Sequence, residues 1–191
     1  FLWFFFECLL GHRELHFFIG RQRQMCIRES HILVLDKGKI IAEGELTEVF
    51  SRIDLPQRLA EESGVILNGK VVEKDKQWQL MRVAFAEGHI WLPDSGESLQ
   101  QNVRIRILAK DVSLALQNHD DISIVNRLLV TVEDIKSDQD KAMSLVRLSI
   151  GNKSLVSEYL VSKLTQKSVH HLQLKAGLSI WAQIKSVALV R

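Results

Sequence analysis

RLLVTVEDI at Arg127–Ile135 and MSLVRLSI at Met143–Ile150 decide the fold. Both are short apolar runs rich in Val, Ile and Leu with polar residues between, a pattern of strands and not of helices. The polar stretch Lys136–Asp140 joins them as a loop, and Gly151-Asn152 after the second supplies a hairpin turn. Leu155–Leu164 then reads as a long or bulged strand. Thr165 is placed to cap a short helix, Gln166–Leu172, which ends before Lys175-Ala176-Gly177. Leu178–Val190 reads as the closing strand or pair of strands. Five short strands with one small helix before the last describe a small closed barrel, in which closure removes exposed sheet edges.

Working outward, Asp120-Asp121 marks a boundary ahead of this unit. Upstream of it Val65–Val72, Gln79–Ala86, His89–Leu92, Val103–Leu108 and Val112–Leu116 read as strands, with a turn at Asp94-Ser95-Gly96. Residues 31–64 differ. ILVLDKGKIIAE at 32–43 folds back on itself about Asp36-Lys37-Gly38 as a tight hairpin, and Gly44 is expected to break its second strand. Thr47 is placed to cap a short helix that turns Val49 and Phe50 inward. Asp54-Leu55-Pro56 is a helix start, running to about Ser63 and stopping at Gly64. The fold class is therefore mainly β: an OB-like small barrel over 122–191, preceded by a further β module at 65–121 and a short α/β piece at 31–64.

Composition agrees with a globular chain. Of 191 residues 46% are hydrophobic and 25% charged, and 25 basic side chains face 23 acidic ones. That near balance argues against a duplex-DNA binder that relies on a large positive field. From Val65 onward there are 17 basic and 13 acidic side chains, and only Trp78, Phe85, Trp91, Tyr159 and Trp181 could stack on bases. Single-stranded nucleic acid is thus not an expected partner either. Seven of the 13 aromatic residues and both cysteines, Cys8 and Cys26, fall in the first 30 positions. Residues 1–30 read as a stretch foreign to the rest, non-native or frame-shifted. FLWFFFECLL is half the length a membrane span needs, and no partner stands at metal-ligand spacing from either cysteine.

ILVLDKGKIIAEG at 32–44 with Thr47-Glu48-Val49-Phe50 resembles the tail of an ABC-transporter nucleotide-binding domain. VRIRILAKDVSLAL at 103–116 and IWAQIKSVALV at 180–190 are similar to the C-terminal regulatory region of molybdate-importing ABC-transporter ATP-binding subunits. The last 70 residues also resemble a molbindin-type oxyanion-binding domain. In that family a Ser-x-Arg-Asn motif, a Thr at a helix start and a Lys-Ser pair on the closing strand carry the site. The matching positions here are Ser123, Asn126, Thr165, Lys185 and Ser186, with Val125 where the family has arginine and Arg127 close by. The stretch 157–163 is longer than the family pattern suggests.

The resemblance implies molybdate or tungstate as ligand, pairing of two copies through the C-terminal region, and feedback on import. It also implies a permease subunit as partner through the parent domain and a cytoplasmic place on the inner face of the membrane. ATP and Mg would belong to that parent domain. This sequence has no G-x-x-x-x-G-K-[ST] loop to cradle phosphates, so no ATP hydrolysis is expected of it. A free-standing molybdate-binding or storage protein and a molybdate-responsive regulator are the alternatives.

The chemistry suits such residues. A tetrahedral oxyanion dianion accepts hydrogen bonds and donates none, so its site needs only hydroxyls, N–H groups and a lysine. Neighbours on a strand point to opposite faces, so Lys185 and Ser186 could share one anion only through a backbone N–H or a bulge. His170-His171 lacks a third ligand and reads as a solvent-facing pair. Asp120-Asp121 and Asp138/Asp140 read as loop carboxylates, not as a catalytic dyad.

Overall fold

A computed structural model of the chain describes residues 2–7, 31–36, 39–45, 49, 64–85, 88–137, 142–151 and 158–190. Three strands lie at the front, β1 (Leu2–Glu7), β2 (His31–Asp36) and β3 (Lys39–Glu45), in the order β1-β2-β3. β2 and β3 pair as the hairpin read from sequence. Gly44 does not end β3 but opposes Ile32 within it, because a residue without Cβ can still donate and accept in the ladder. The helices expected around Thr47 and from Asp54 fall outside the described residues, apart from Val49, which is buried.

The remainder is built from β4 (Gly64–Asp75), β5 (Leu80–Phe85), β6 (Gly88–Pro93), β7 (Asn102–Leu108), β8 (Val112–Ala115), β9 (Asn126–Ser137), β10 (Met143–Ile150), β11 (Glu158–Thr165), β12 (Ser179–Ile184) and β13 (Ala188–Val190). A 3-10 turn, Ala109–Asp111, separates β7 from β8, and helix α1 (Gln166–His171) follows β11. One sheet runs β13-β7-β4-β5-β6 and the other β11-β10-β9-β12-β8. Each sheet therefore takes its fifth strand from across Asp120-Asp121: β8 pairs with β12, and β13 pairs with β7.

The sequence explains the strands. β5 alternates Met81, Val83 and Phe85 inward, and β7 does the same with Val103, Ile105 and Ile107. β12 contributes Ile180, Ala182 and Ile184. These side chains and those of β9, β10 and β11 form one continuous apolar core that spans both sheets. Gly69 lets β4 and β5 approach closely, since a Cβ there would lie 2.4 Å from Val83 Cγ1 and 2.9 Å from the Ala84 carbonyl. The second sheet closes where the buried Ser162 hydroxyl donates to the Val112 carbonyl at 2.6 Å, joining β11 to β8.

Two expectations are corrected. β10 and β11 pair from Ile150↔Glu158 to Met143↔Thr165 without a register shift, so β11 carries no bulge over Glu158–Thr165, and the strand start read at Leu155 falls outside the described residues. Gly151 has φ 76°, and the rest of the turn read at Gly151-Asn152 falls outside the described residues. The irregularity lies on the other flank of β10, between Arg147 and Leu148 against β9. Lys136 and Ser137, read as loop, continue β9, because β10 supplies hydrogen-bond partners that far. Leu178–Val190 is a pair of strands, one of the two readings given above, and the pair is divided between two sheets. Thr165 caps α1 as expected, its Oγ1 accepting from the Ser168 N–H at 3.0 Å.

Glu158 yields a pH prediction. It opens β11 half-buried, and its Oε2 is enclosed with no hydrogen-bond partner among the described residues. Desolvation by burial raises its pKa. Below about pH 4 the carboxyl is neutral folded and unfolded, so there is no penalty. As pH rises the unfolded carboxyl ionises first, and the folded state loses stability until its own raised value is passed. Glu158→Gln should therefore raise the thermal midpoint at pH 7, and the gain should vanish on acidification. Melting curves of both proteins from pH 3.5 to 7.5 check it.

Candidate functional site

The strand exchange creates an irregular place in an otherwise regular fold. Ile184, the last residue of β12, opposes Asn126 on β9 and Val112 on β8. The chain then leaves one sheet for the other across Lys185, Ser186 and Val187. The Lys185 N–H donates to the Asp111 carbonyl at 2.9 Å, so this crossover is tied to the Ala109–Asp111 crossover that runs the other way. Both Lys185 and Ser186 are exposed. They are not strand neighbours, as the sequence suggested, because the exchange interrupts the pleat between Ile184 and Ala188. The opposite-face objection therefore falls away. The Lys185 N–H is already engaged, which leaves its ammonium group and Ser186 as donors.

The Ile184↔Asn126 rung brings the segment before β9 to the same end of the sheet. Ser123 and Val125 are exposed there. Asn126 is committed elsewhere: its Oδ1 accepts from the Trp91 N–H at 2.7 Å and its Nδ2 donates to the Trp91 carbonyl at 2.8 Å. The side-chain amide acts as one extra peptide group on the β6 edge and fastens the start of β9 to the other sheet. Arg127 is committed too, with Nη1 donating to the His119 carbonyl and to Asp120 Oδ1, the latter at 2.8 Å. It pins the loop before β9.

Thr165 ends β11 three residues past Ser162, roughly 10 Å along the strand. Its hydroxyl is shared with Ser168 N and with Ser168 Oγ at 2.8 Å. No hydrogen bond among the described residues links Thr165 to the other four. His170 and His171 are exposed on α1. Ser123, Lys185 and Ser186 thus share one end of the β9–β12 pair, Asn126 braces that end, and Thr165 stands apart. Sequence reasoning missed Trp91 as the brace partner and Asp111 as the neighbour of Lys185.

Asn126→Ala removes both bonds to Trp91. At about 0.5–1.5 kcal/mol net each, the expected loss is about 1–3 kcal/mol. A urea denaturation midpoint lowered accordingly, with an unchanged slope, is the expected result.

Around this end an apolar face is open. Leu129 on β9 stands on one rung with Trp181 and Ala115 and is 55% exposed. Leu116, Ile122 and Val125 are exposed in the adjoining loop. Among the described residues no helix is long and apolar enough to cross a membrane.

Residues 122–190 match the TOBE domain family. The chain is 41% identical over 162 residues to the molybdenum import ATP-binding protein ModC of Saccharophagus degradans, covering 84% of this chain and 43% of that protein. It is 37% identical over 160 residues to ModC of Methylococcus capsulatus, with 84% and 44% covered. ModC of Pseudomonas syringae pv. tomato is 33% identical over 185 residues, 94% of this chain and 50% of the relative. That alignment extends into the first 30 residues. The chain spans about two fifths to half the length of these relatives. Among solved structures, the cytoplasmic molybdate-binding protein ModG with molybdate bound has the same fold: TM-score 0.54 at 21% identity, covering 65% of this chain and 93% of ModG. Residues 122–190 thus match the TOBE domain family, and the chain as a whole resembles the C-terminal region of the ATP-binding subunits of molybdate ABC transporters.

Proposed function

We propose that this chain is the regulatory, oxyanion-binding part of a molybdate importer's ATP-binding subunit. The observation that carries the reading is the rung Ile184↔Asn126. It sets the exposed Lys185-Ser186 crossover beside the Ser123 loop, at one end of a fold that ModG shares. Lys185 supplies a charged donor, and the hydroxyls of Ser123 and Ser186 supply neutral ones. Molybdate and tungstate are the ligands. Sulfate has the same charge and shape but is smaller, and donors held by rigid strands select against it by size.

The site is open on one side, next to the apolar face of Leu129 and Trp181. A second copy covers that face, and Thr165, remote from the other donors within one chain, reaches the anion from the partner. Anion binding then favours one arrangement of the paired subunits, which is feedback by differential affinity for two states. The chain does no chemistry itself. Its further partners are the ATP-hydrolysing part of the subunit, with its ATP and Mg, and the permease at the inner face of the membrane. The match to ModG over 93% of that protein favours one other reading, a molybdate-binding protein acting without a transporter.

Isothermal calorimetry of the full chain with molybdate, tungstate and sulfate tests the ligand. Saturable heat with the first two and at least tenfold weaker binding of sulfate is expected. No heat with molybdate from the folded protein would end the proposal. Sedimentation with and without molybdate tests the pairing, and a monomer under both conditions would remove it.

A further inference from the structure

The two sheets are built the same way. Each contains a long strand (β4 or β9), the two antiparallel strands that follow it (β5-β6 or β10-β11), and a fourth strand on its other side (β7 or β12). In each, the fourth strand runs into a crossover that delivers the next strand to the other sheet. The inward residues Val103, Ile105 and Ile107 of β7 answer to Ile180, Ala182 and Ile184 of β12. Through the crossovers and into the next strands the sequences read Lys110-Asp111-Val112-Ser113-Leu114 and Lys185-Ser186-Val187-Ala188-Leu189. Val112 is buried, and Leu114, Val187 and Leu189 pack against the same core. The halves thus repeat one plan about an approximate twofold, and the Lys185 N–H to Asp111 bond lies where the two crossovers meet.

Counted back from Val112-Ser113-Leu114 and Val187-Ala188-Leu189, Lys110 takes the place of Lys185 and Asp111 the place of Ser186, the first crossover being two residues longer after Ile107 than the second after Ile184. Lys110 is exposed, as Lys185 is. The difference is chemical. A serine hydroxyl donates to an oxyanion, whereas an ionised carboxylate only accepts and repels it. We infer that Asp111 closes the first crossover to oxyanions, so that the duplicated fold takes up its anion at the Lys185–Ser186 crossover alone. The inference rests on the functional reading above and assigns Asp111 as the residue that sets the number of sites.

Calorimetry of the full chain with sodium molybdate tests it, using the parent, Lys110→Ala, Asp111→Ser and the double variant Lys185→Ala/Ser186→Ala. The parent should bind one anion per chain. Lys110→Ala should match it within twofold in affinity and in stoichiometry, and the double variant should lose all uptake. Asp111→Ser should gain a second, weaker uptake step. A fall in stoichiometry with Lys110→Ala, or an Asp111→Ser isotherm identical to that of the folded parent, would overturn the inference while leaving the functional reading intact. No heat from the parent or from Asp111→Ser would overturn both.

Discussion

Leu148→Ala is expected to destabilise the protein by about 2–5 kcal/mol, the range for removing a buried leucine and leaving a cavity. Leu148 is fully buried at the middle of β10, opposite Leu160 on β11 and Val132 on β9, both also fully buried. Strands hold the backbone on either side, so the space cannot collapse and the loss belongs in the upper part of that range. The same substitution reports on organisation. The core is continuous across both sheets, and each sheet depends on a strand from the other half of the sequence. Denaturation followed by the fluorescence of the four tryptophans (three of them, Trp78, Trp91 and Trp181, in the two five-stranded halves) and by far-ultraviolet circular dichroism should give coincident transitions, in the parent and shifted together in Leu148→Ala. A transition that moves only for residues after Asp121 would show that the two halves fold independently.

Lys185→Ala should weaken molybdate binding about 10- to 100-fold. A hydrogen bond to a charged group is worth about 1.5–3 kcal/mol, and each 1.4 kcal/mol is about tenfold. Ser186→Ala removes a neutral donor and should cost less, about tenfold or under. Both residues are exposed and outside the strands, so the melting temperature should stay within a degree or two. Lys185→Arg keeps the charge and should recover part of the affinity. Equal binding by Lys185→Ala and the parent would remove the crossover as the site.

Much of this was legible in the sequence because strands alternate and turns need particular residues. β5, β7, β9 and β12 bury alternate residues, and Thr165 sits at a helix start where its oxygen can accept. What the sequence hid were facts of pairing. Nothing local in Leu178–Val190 says that the strand changes sheets after Ile184, because the partner residues lie 66 to 86 positions earlier, in Asn102–Leu108 and Val112–Ala115. The interruption matters for function, since it frees Lys185 and Ser186 from the pleat. Asn126 illustrates the converse. Its place before a strand suggested a ligand, yet its amide is spent on Trp91, 35 residues earlier in the chain. The Lys-x-Val-x-Leu echo at 110–114 and 185–189 was visible in the letters, but only the shared sheet order gives it meaning.

A tetrahedral oxyanion held at the crossover between β12 and β13 would be visible by diffraction. Crystals grown with molybdate and measured at the molybdenum absorption edge test it most directly. An anomalous peak within hydrogen-bonding reach of the Lys185 ammonium and the Ser186 hydroxyl is expected. A well-ordered crossover with no peak beside it, from crystals soaked to saturation, would contradict it.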